Sequence, residues 1–333
     1  MKRKFLFIIS LIVVVLFVLT RDSDNTDNVQ NFPKQKSIFG SYLSPRNFPD
    51  SIIRKQKADI DEYFNLNREV GSHTAILLRW DDPAGLYKIY DSLMERARKE
   101  GFKFYLHWDP LTEMTHAAPA PPKSLGATSF GDPKVREAYI EAVLDLAAKK
   151  PDLLGIGTEV NLMLLHGNPA EYEHFKSLAK EAYSAIKAKY PNQLVTISFS
   201  WDVVRIYSQY RYLNDFKDSA DILSFTTYPN AFDIPFDRIM GDYYSSIRRY
   251  LPNEKVAISE IGWYSGNTPE IQAEFYKRLP NLLKDLKPEF VTQFFMFDLP
   301  DKYPVEEKFK SLGFIKSDGQ FKPSWEVVKN YDF

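Results

Sequence analysis

The chain has 333 residues, of which 44% are hydrophobic and 26% charged, the composition of an ordinary soluble globular protein. This composition excludes a disordered chain, a collagen-like fibre and a membrane protein with many spans. Lysine and arginine total 43 against 44 aspartate and glutamate residues, so no basic excess is present and we expect no nucleic-acid partner. Cysteine is absent, which excludes disulfides, thiolate metal sites and a cysteine nucleophile.

The amino terminus has the pattern of an export signal. Three basic residues, 2–4, precede an uncharged apolar segment, Phe5–Leu19. As a helix this segment would be about 22 Å long, shorter than the roughly 30 Å hydrocarbon core. The length fits a cleaved signal, but no Ala-x-Ala-like cleavage site follows, so an uncleaved signal anchor stays open.

We therefore predict a signal peptide or signal anchor over residues 1–20, with membrane contact only through this segment. The protein would be exported: extracellular, periplasmic, or anchored to the outer side of the cytoplasmic membrane. An exported chain without cysteine or an Asn-x-Ser/Thr sequon is more typical of a bacterium.

Beyond a polar segment over residues 21–36, which we interpret as a linker, β-rich runs alternate with longer amphipathic runs. The starts of successive β-rich runs lie 27 to 50 residues apart, a spacing typical of βα units. The two clearest helices are Pro133–Lys149 and Pro169–Lys189, each with a proline in its first turn. The predicted strands are Ser37–Leu43, Thr74–Leu78, Lys103–Leu106, Leu153–Gly157, Leu194–Phe199, Asp221–Phe225, Lys255–Ser259 and Phe290–Phe297.

Eight strands with alternating helices predict an α/β fold, a (β/α)8 TIM barrel formed as one domain by residues 37–333. An open doubly wound sheet is the alternative, but no G-x-G-x-x-G loop follows the first strand. The longest stretch without helix or strand signal, Asp109–Gly131, is then a loop over the mouth of the barrel, and the alternative is an ordinary irregular surface loop. We expect a monomer.

Two isolated glutamates stand at the carboxyl ends of predicted strands, where barrels of this kind carry their chemistry. Glu159 follows the fourth strand and Glu260 the seventh. Each follows a nearly apolar run, where an unpaired carboxylate costs several kcal/mol unless it faces a cavity or a partner. Either glutamate alone is more often a salt-bridge or capping residue. As a pair they can act as the proton donor and the nucleophile of glycoside hydrolysis.

Four of the five tryptophans also follow predicted strands. Because aromatic faces stack on the C–H faces of sugar rings, we predict that these four line the mouth and bind an oligo- or polysaccharide. The alternative is that they cap the hydrophobic barrel. The four are Trp80, Trp108, Trp201 and Trp263.

The order of polar residues along the strands resembles clan A of the glycoside hydrolases, retaining enzymes on a (β/α)8 barrel. Arg79, His107, Glu159, Tyr228 and Glu260 follow strands two, three, four, six and seven. The segments GIGTEVN, DILSFTTYP and VAISEIGW are similar to glycoside hydrolase family 53, which contains endo-β-1,4-galactanases. The resemblance implies that Glu159 is the acid/base and Glu260 the nucleophile in double-displacement hydrolysis of β-linked glycans.

The resemblance also implies roles for three neighbours of the glutamates. Tyr228 would hydrogen-bond Glu260, Arg79 would hold Glu260 ionised by its permanent charge, and His107 would line the site near the cleaved sugar. The alternatives are that Arg79 is only an ion-pair partner and that His107 is a core histidine with its hydrogen bonds satisfied.

The chain departs from the clan at two places. The asparagine that usually precedes the acid/base and binds the sugar 2-hydroxyl is Thr158 here, which leaves Asn161 as a candidate substitute. The tryptophan common on strand eight is replaced by Phe297 and Asp298.

No other chemistry is indicated. The five histidines show neither H-x-H nor H-E-x-x-H spacing, and neither a phosphate-binding loop nor a G-x-S-x-G elbow is present, so we predict no metal and no cofactor. The main alternative to a glycosidase is a surface glycan-binding barrel with impaired catalysis, suggested by Thr158. The presence of both glutamates argues against it, because a pure binder does not need the pair.

Overall fold

A computed structural model of the chain describes residues 38–303 and 305–331. The predicted signal over residues 1–20 and linker over residues 21–36 lie outside the described residues and stay predictions. Eight parallel strands close into a barrel in chain order, which confirms the predicted (β/α)8 fold. The strands are β1 (Phe39–Tyr42), β2 (His73–Arg79), β3 (Lys103–Asp109), β4 (Leu153–Gly155), β5 (Val195–Ser200), β6 (Ile222–Thr227), β7 (Val256–Ile261) and β8 (Val291–Gln293).

Helices of the described residues surround the barrel, and short 3-10 helices stand between β6 and β7 where a single long helix would be usual. None of the described helices is long and apolar enough to cross a membrane. The α-helices are α1 (Asp50–Ile53), α2 (Lys57–Val70), α3 (Ala84–Lys99), α4 (Pro133–Ala148), α5 (Leu162–Leu165), α6 (Pro169–Lys189), α7 (Trp201–Ile206), α8 (Pro269–Leu283), α9 (Glu307–Lys310) and α10 (Pro323–Lys329).

Strand β8 is shorter than predicted. It ends at Gln293 rather than at Phe297. The backbone then leaves the barrel wall, because the amide of Met296 donates to Ser44 Oγ and the amide of Asp298 donates to the carbonyl of Ile315. The residue that follows the strand is therefore Phe294.

Side chains of each strand point alternately into the barrel and toward the helices, as the two-residue period of a strand requires. In β3, Tyr105 belongs to the cluster inside the barrel, and His107 lies against the inward ring of Tyr42. Leu106 and Trp108 belong instead to the large core between strands and helices. This alternation decides which residues at the strand ends can reach the mouth.

One register shift turns a glutamate into the barrel. Phe225 pairs with Ile258, but the next residue, Thr226, pairs with Glu260, so Ser259 is an extra residue in β7. Without this extra residue Glu260 would share the outward face of Ile258, because residues two apart in a strand share a face. Bulges of this kind re-aim side chains next to active sites.

Candidate active site

Glu260 is buried inside the barrel, and two phenol groups hold its carboxylate. Tyr42 donates from its hydroxyl to Oε1 at 3.1 Å, and Tyr228 donates to Oε2 at 2.6 Å. Burial, followed by the charge of Glu260, raises the pKa of both phenols well above the usual value. Both hydroxyls therefore stay protonated and donate to the oxygens of the Glu260 carboxyl group. Tyr228 was predicted to do so, whereas Tyr42 was not singled out in the sequence.

The surroundings make Glu260 a weak acid. Burial first, and then the charge of Glu159, raise the pKa of Glu260 to about 8. The bonds from Tyr228 and Tyr42 and the charge of His116 act in the opposite direction. Glu260 in the free protein is consequently protonated at neutral pH in most molecules and ionised in mildly alkaline solution.

Glu159 lies beside Glu260, where the chain leaves the barrel after β4. Its backbone amide donates to Ser198 Oγ at 3.0 Å, and its Oε1 accepts a hydrogen bond from the hydroxyl of Thr226. Thr226 is the strand partner of Glu260, so the carboxyl group of Glu159 lies above the strand positions next to Glu260. Glu159 has a φ of +48°, in the left-handed region, which costs a residue with a side chain roughly 1–2 kcal/mol. Such strain is concentrated at functional sites.

The loop after β3 brings His116 onto Glu159. His116 Nε2 lies 3.1 Å from Asp109 Oδ2, and Nδ1 lies 3.3 Å from Glu159 Oε2. Burial alone would lower the pKa of His116, but Asp109, Glu159 and Glu260 together raise it to about 9. The ring is therefore an imidazolium at neutral pH. Within residues 38–303 and 305–331, no group of three or more His, Asp or Glu side chains is arranged to hold a metal ion.

Asp202, at the start of α7, fixes the position of Tyr228. Its carboxylate accepts hydrogen bonds from the backbone amide of Tyr228 and from the hydroxyls of Thr227 and Tyr243. On the other side, the ring of Tyr228 packs on Gly262, where an added Cβ would stand 2.9 Å from a ring carbon. A residue larger than glycine would therefore displace the ring that holds Glu260.

Arg79 does not carry out the role predicted for it. Its Nε lies 3.2 Å from Asp81 Oδ1 and its Nη1 lies 3.8 Å from Asp109 Oδ2. Among the described residues these two carboxylates, and not Glu260, are its ion-pair partners. The guanidinium therefore acts on Glu260 at most indirectly, through Asp109 and His116.

His107 points into the barrel beneath the carboxyl groups, with its ring 5.5 Å from that of Tyr42. Burial lowers the pKa of His107 to about 4, so the ring is neutral. Its Nε2 is buried and has no hydrogen-bond partner among the described residues. A buried polar atom without a partner is uncommon, and a ligand hydroxyl is one group that could satisfy it.

The prediction that four tryptophans line the mouth is wrong. Trp108 and Trp201 are fully buried, and Trp80 and Trp263 are only 6% and 4% exposed. Each occupies an outward position at its strand end, so each packs in the core between strands and helices. The indole of Trp108 donates to the hydroxyl of Tyr87, and that of Trp201 donates to the carbonyl of Tyr243. These tryptophans stabilise the barrel, as the alternative interpretation held.

Asn161 is also not a substrate-binding residue in this structure. It is fully buried, and its Nδ2 donates to Gln209 Oε1 at 2.8 Å and to the carbonyl of Ser200. Its Oδ1 accepts from the amide of Ser200 at 2.8 Å. The Asn161 side chain links the loop after β4 to β5 by hydrogen bonds. It is therefore not free to take the part of the clan's asparagine, whose place Thr158 occupies.

A partly exposed aromatic side chain stands beside the carboxyl groups, but it is not a tryptophan. Phe294, the first residue after β8, meets Tyr42 edge-on with ring centroids 5.2 Å apart and Tyr228 with centroids 5.7 Å apart. Sequence reasoning missed it because β8 was extended to Phe297. A phenylalanine next to the two phenols can offer an apolar face to a ligand.

No family profile and no curated protein sequence matches the chain, but solved structures match its fold. An exo-β-1,4-mannosidase from Opitutaceae bacterium strain TAV5 matches with a TM-score of 0.70 and 15% identity over 87% of this chain. The match covers 58% of the mannosidase, so the chain spans less than two thirds of that protein.

Two further structures cover more of their own length. A GH5_18 protein variant from Streptomyces cattleya, solved in complex with Manb1-4GlcNAc, has a TM-score of 0.67, 16% identity and coverage of 88% of this chain and 79% of its own. The GH53 catalytic domain from Ignisphaera aggregans has a TM-score of 0.65, 18% identity and coverage of 91% and 98%. The predicted likeness to clan A glycoside hydrolases is thereby confirmed for the fold.

Proposed function

We propose that this protein is a retaining glycosidase that cleaves β-linked glycans with Glu159 and Glu260. The observation that carries the proposal is the pair of carboxyl groups at the ends of β4 and β7. Glu260 accepts hydrogen bonds from the phenols of Tyr42 and Tyr228. Glu159 accepts one from Thr226, which is the strand partner of Glu260. The two also differ in their surroundings, and the raised pKa belongs to Glu260, whereas in the usual division it belongs to the acid. The roles proposed here therefore follow the strand order of clan A and not the pKa of Glu260.

In the proposed reaction, Glu260 attacks the anomeric carbon while Glu159 protonates the leaving oxygen. The glycosyl ester on Glu260 then reacts with a water molecule that Glu159 deprotonates. The phenols of Tyr42 and Tyr228 orient the Glu260 oxygens for attack. In retaining enzymes that follow this course the two carboxyl groups stand about 5–5.5 Å apart, which leaves no room for a water molecule opposite the leaving group.

Two further features support a saccharide as the ligand. The unpartnered Nε2 of His107 is suited to a sugar hydroxyl, and Phe294 offers an apolar surface for a sugar ring. The structural neighbours include a complex with Manb1-4GlcNAc and a β-1,4-galactanase. We therefore propose β-linked manno- or galacto-configured oligosaccharides as the first substrates to test.

The test is a panel of 4-nitrophenyl β-glycosides and β-1,4-linked oligosaccharides with the purified protein and three variants. Glu260→Ala should abolish turnover. Glu159→Ala should keep turnover of substrates with excellent leaving groups and be partly rescued by azide. Glu181→Ala, at an exposed ion pair with Arg136, is the control and should leave activity unchanged. NMR of the first-formed anomer should show retention. An inverted product would contradict the mechanism.

A glycan-binding barrel without catalysis is the second candidate. Two observations favour it: Thr158 replaces the usual asparagine, and Glu260 is mostly protonated at neutral pH. Calorimetry against the same panel separates the two proposals. A binder would retain an oligosaccharide at pH 7 and at pH 9 without releasing product at either.

Export remains a proposal that rests on residues 1–20. Amino-terminal sequencing of the protein recovered from a bacterial expression host would test it. Cleavage near residue 20, or recovery in the membrane fraction with the segment intact, would support the proposal, and an intact soluble cytoplasmic chain would contradict it.

A further inference from the structure

Asp109, His116 and Glu159 form a row of charged side chains in ion-pair contact that leads to the candidate acid/base. Asp109 is 1% exposed and is the last residue of β3, with its side chain on the inward face, so the barrel fixes its position. It holds Nε2 of His116 at 3.1 Å, which leaves Nδ1 3.3 Å from Glu159 Oε2. Among the described residues Nδ1 has no hydrogen-bond partner, so Glu159 is the acidic group nearest to hand for its proton. An acidic group that orients an imidazole toward a reacting group is the arrangement that proton-transferring histidines use.

The loop backbone is adapted to this contact. His116 has a φ of +46°, in the left-handed region, where a side chain other than glycine is uncommon. The loop is closed by a bridge between Leu111 and Pro119, and the hydroxyl of Thr112 accepts from the amide of Ala117. These bonds hold the turn that places the ring over Glu159.

The proposed reaction needs Glu260 ionised and Glu159 supplied with a proton at the same pH. Glu260 must be ionised to attack, and with a pKa of about 8 its ionised form becomes the major one only in mildly alkaline solution. The general acid must still deliver a proton at that pH. His116, with a pKa of about 9, still holds one. The imidazolium is therefore still protonated in the pH range in which Glu260 is ionised.

We propose that His116 is a positioning residue that stores the proton for Glu159 and acts through it. As Glu159 gives a proton to the leaving oxygen, His116 Nδ1 passes its proton to Glu159 Oε2 and becomes neutral. When Glu159 deprotonates the attacking water in the second step, the proton returns to His116 Nδ1. This inference rests on the proposed glycosidase function and adds a residue to it.

The charged groups that face His116 come from several elements. Asp109 of β3, Glu159 after β4 and Glu260 of β7 stabilise the imidazolium. Arg79 of β2 shares Asp109 with it, at 3.8 Å. The pKa of His116 is thus raised mainly by these carboxylates, of which Glu159 is the one that exchanges a proton with the ring in the proposed reaction.

The kinetic test compares His116→Asn with the wild type. Asparagine tolerates the left-handed backbone, so the loop should keep its course. The substrates are the 2,4-dinitrophenyl and phenyl derivatives of the best glycoside of the panel. The variant should lose about 10- to 100-fold in kcat/KM with the phenyl glycoside, which needs a proton, and less than about 3-fold with the dinitrophenyl glycoside. His166→Asn, at an exposed histidine, is the matched control and should match the wild type for both.

A titration that needs no turnover tests the pairing itself. NMR of the histidine ring protons identifies His116 by the signal lost in His116→Asn, and the remaining signals report that the variant is folded. The midpoint of His116 should fall by about one pH unit in Glu159→Gln, because an opposite charge has been removed. It should not change in Glu181→Gln.

The outcomes separate the two proposals. An unchanged His116 midpoint in Glu159→Gln, or an equal loss for both glycosides in His116→Asn, would overturn the proton store while the wild type still turns over substrate. Absence of wild-type turnover on every substrate would overturn the proposed function and the transfer step together, even if the midpoint falls. A lowered midpoint with selective loss for the phenyl glycoside is the supporting result.

Discussion

Removing the hydroxyl of Tyr228 should make Glu260 a still weaker acid. Tyr228 donates to Glu260 at 2.6 Å in a buried site, and this bond lowers the pKa of the carboxyl. A hydrogen bond to a charged group contributes about 1.5–3 kcal/mol, and 1.36 kcal/mol corresponds to one pKa unit. Tyr228→Phe should therefore raise the pH at which Glu260 ionises by about one to two units. Tyr42→Phe, which removes a longer bond of 3.1 Å, should raise it less.

The assay is the acid limb of the pH profile of kcat/KM with a dinitrophenyl glycoside, because its departure needs no proton and the limb then reports Glu260. Activity is present where Glu260 is ionised and is lost as the pH falls through its pKa. The limb should move to higher pH in the order wild type, Tyr42→Phe, Tyr228→Phe. Tyr172→Phe removes a phenol bonded to Asp215 at 3.0 Å, outside the site, and is the matched control. Coincident limbs for Tyr228→Phe and wild type would refute the reasoning.

Three further variants test the site's construction. Glu260→Gln should raise the free energy of unfolding at pH 8–9 by ~1 kcal/mol or more. Burial raises the pKa of Glu260 from 4.5 to about 8, so the wild type is stable while Glu260 is protonated and loses stability as the pH rises from 4.5 to 8. In denaturant titrations the advantage of Glu260→Gln over the wild type should therefore vanish below pH 4.5. Glu159→Gly should be more stable than Glu159→Ala by about 1 kcal/mol, because φ is +48°, and the opposite order would refute the strain. Gly262→Ala should lower kcat/KM and move the acid limb as Tyr228→Phe does, because the new Cβ would stand 2.9 Å from the Tyr228 ring; an unshifted limb would contradict this.

The barrel could be predicted from the sequence because its information is local. Each strand is a short apolar run, and four helices, α4, α6, α8 and α10, have a proline in their first turn, so spacing and these signals give the βα order. Helix α6 was predicted with its observed bounds for this reason. Both glutamates were also found locally, since a carboxylate at the end of an apolar strand is conspicuous. Strand β8 was drawn too long because what ends it is a bond from Met296 to the distant Ser44.

The errors at the mouth have a different origin. Trp108 is predicted to line the mouth because it stands at a strand end, without regard to which face of β3 its side chain occupies. Its polar neighbours in the strand, His107 and Asp109, mark the inward positions. The two-residue period could thus have placed this tryptophan outside the barrel. Glu260 shows the limit of that rule, since the extra residue Ser259 reverses the faces, and nothing local to the sequence indicates it.

Tyr42 and His116 could not have been predicted in the same way. Tyr42 meets Glu260 because the barrel closes β1 onto β8, which brings residues 218 positions apart into contact. His116 reaches Glu159 through the fold of a long loop, whose course depends on contacts such as the β-bridge between Leu111 and Pro119. Contacts made by closure and by loop conformation are set by tertiary structure.

The raised pKa of Glu260 is consistent with a catalyst when the charge of the transition state is considered. In the free site, burial and the charge of Glu159 both disfavour the ionised form of Glu260. A sugar ring with oxocarbenium character between the two carboxyls carries positive charge, so attraction in a dry site replaces that repulsion. The neutral sugar of the ground state gives no such gain, and an interaction present only in the transition state lowers the barrier. Each pKa unit recovered in this way corresponds to 1.36 kcal/mol, or about tenfold in rate. A carboxylate that is costly to ionise in the empty site is therefore one whose charge is most strongly stabilised when the reacting ring becomes positive.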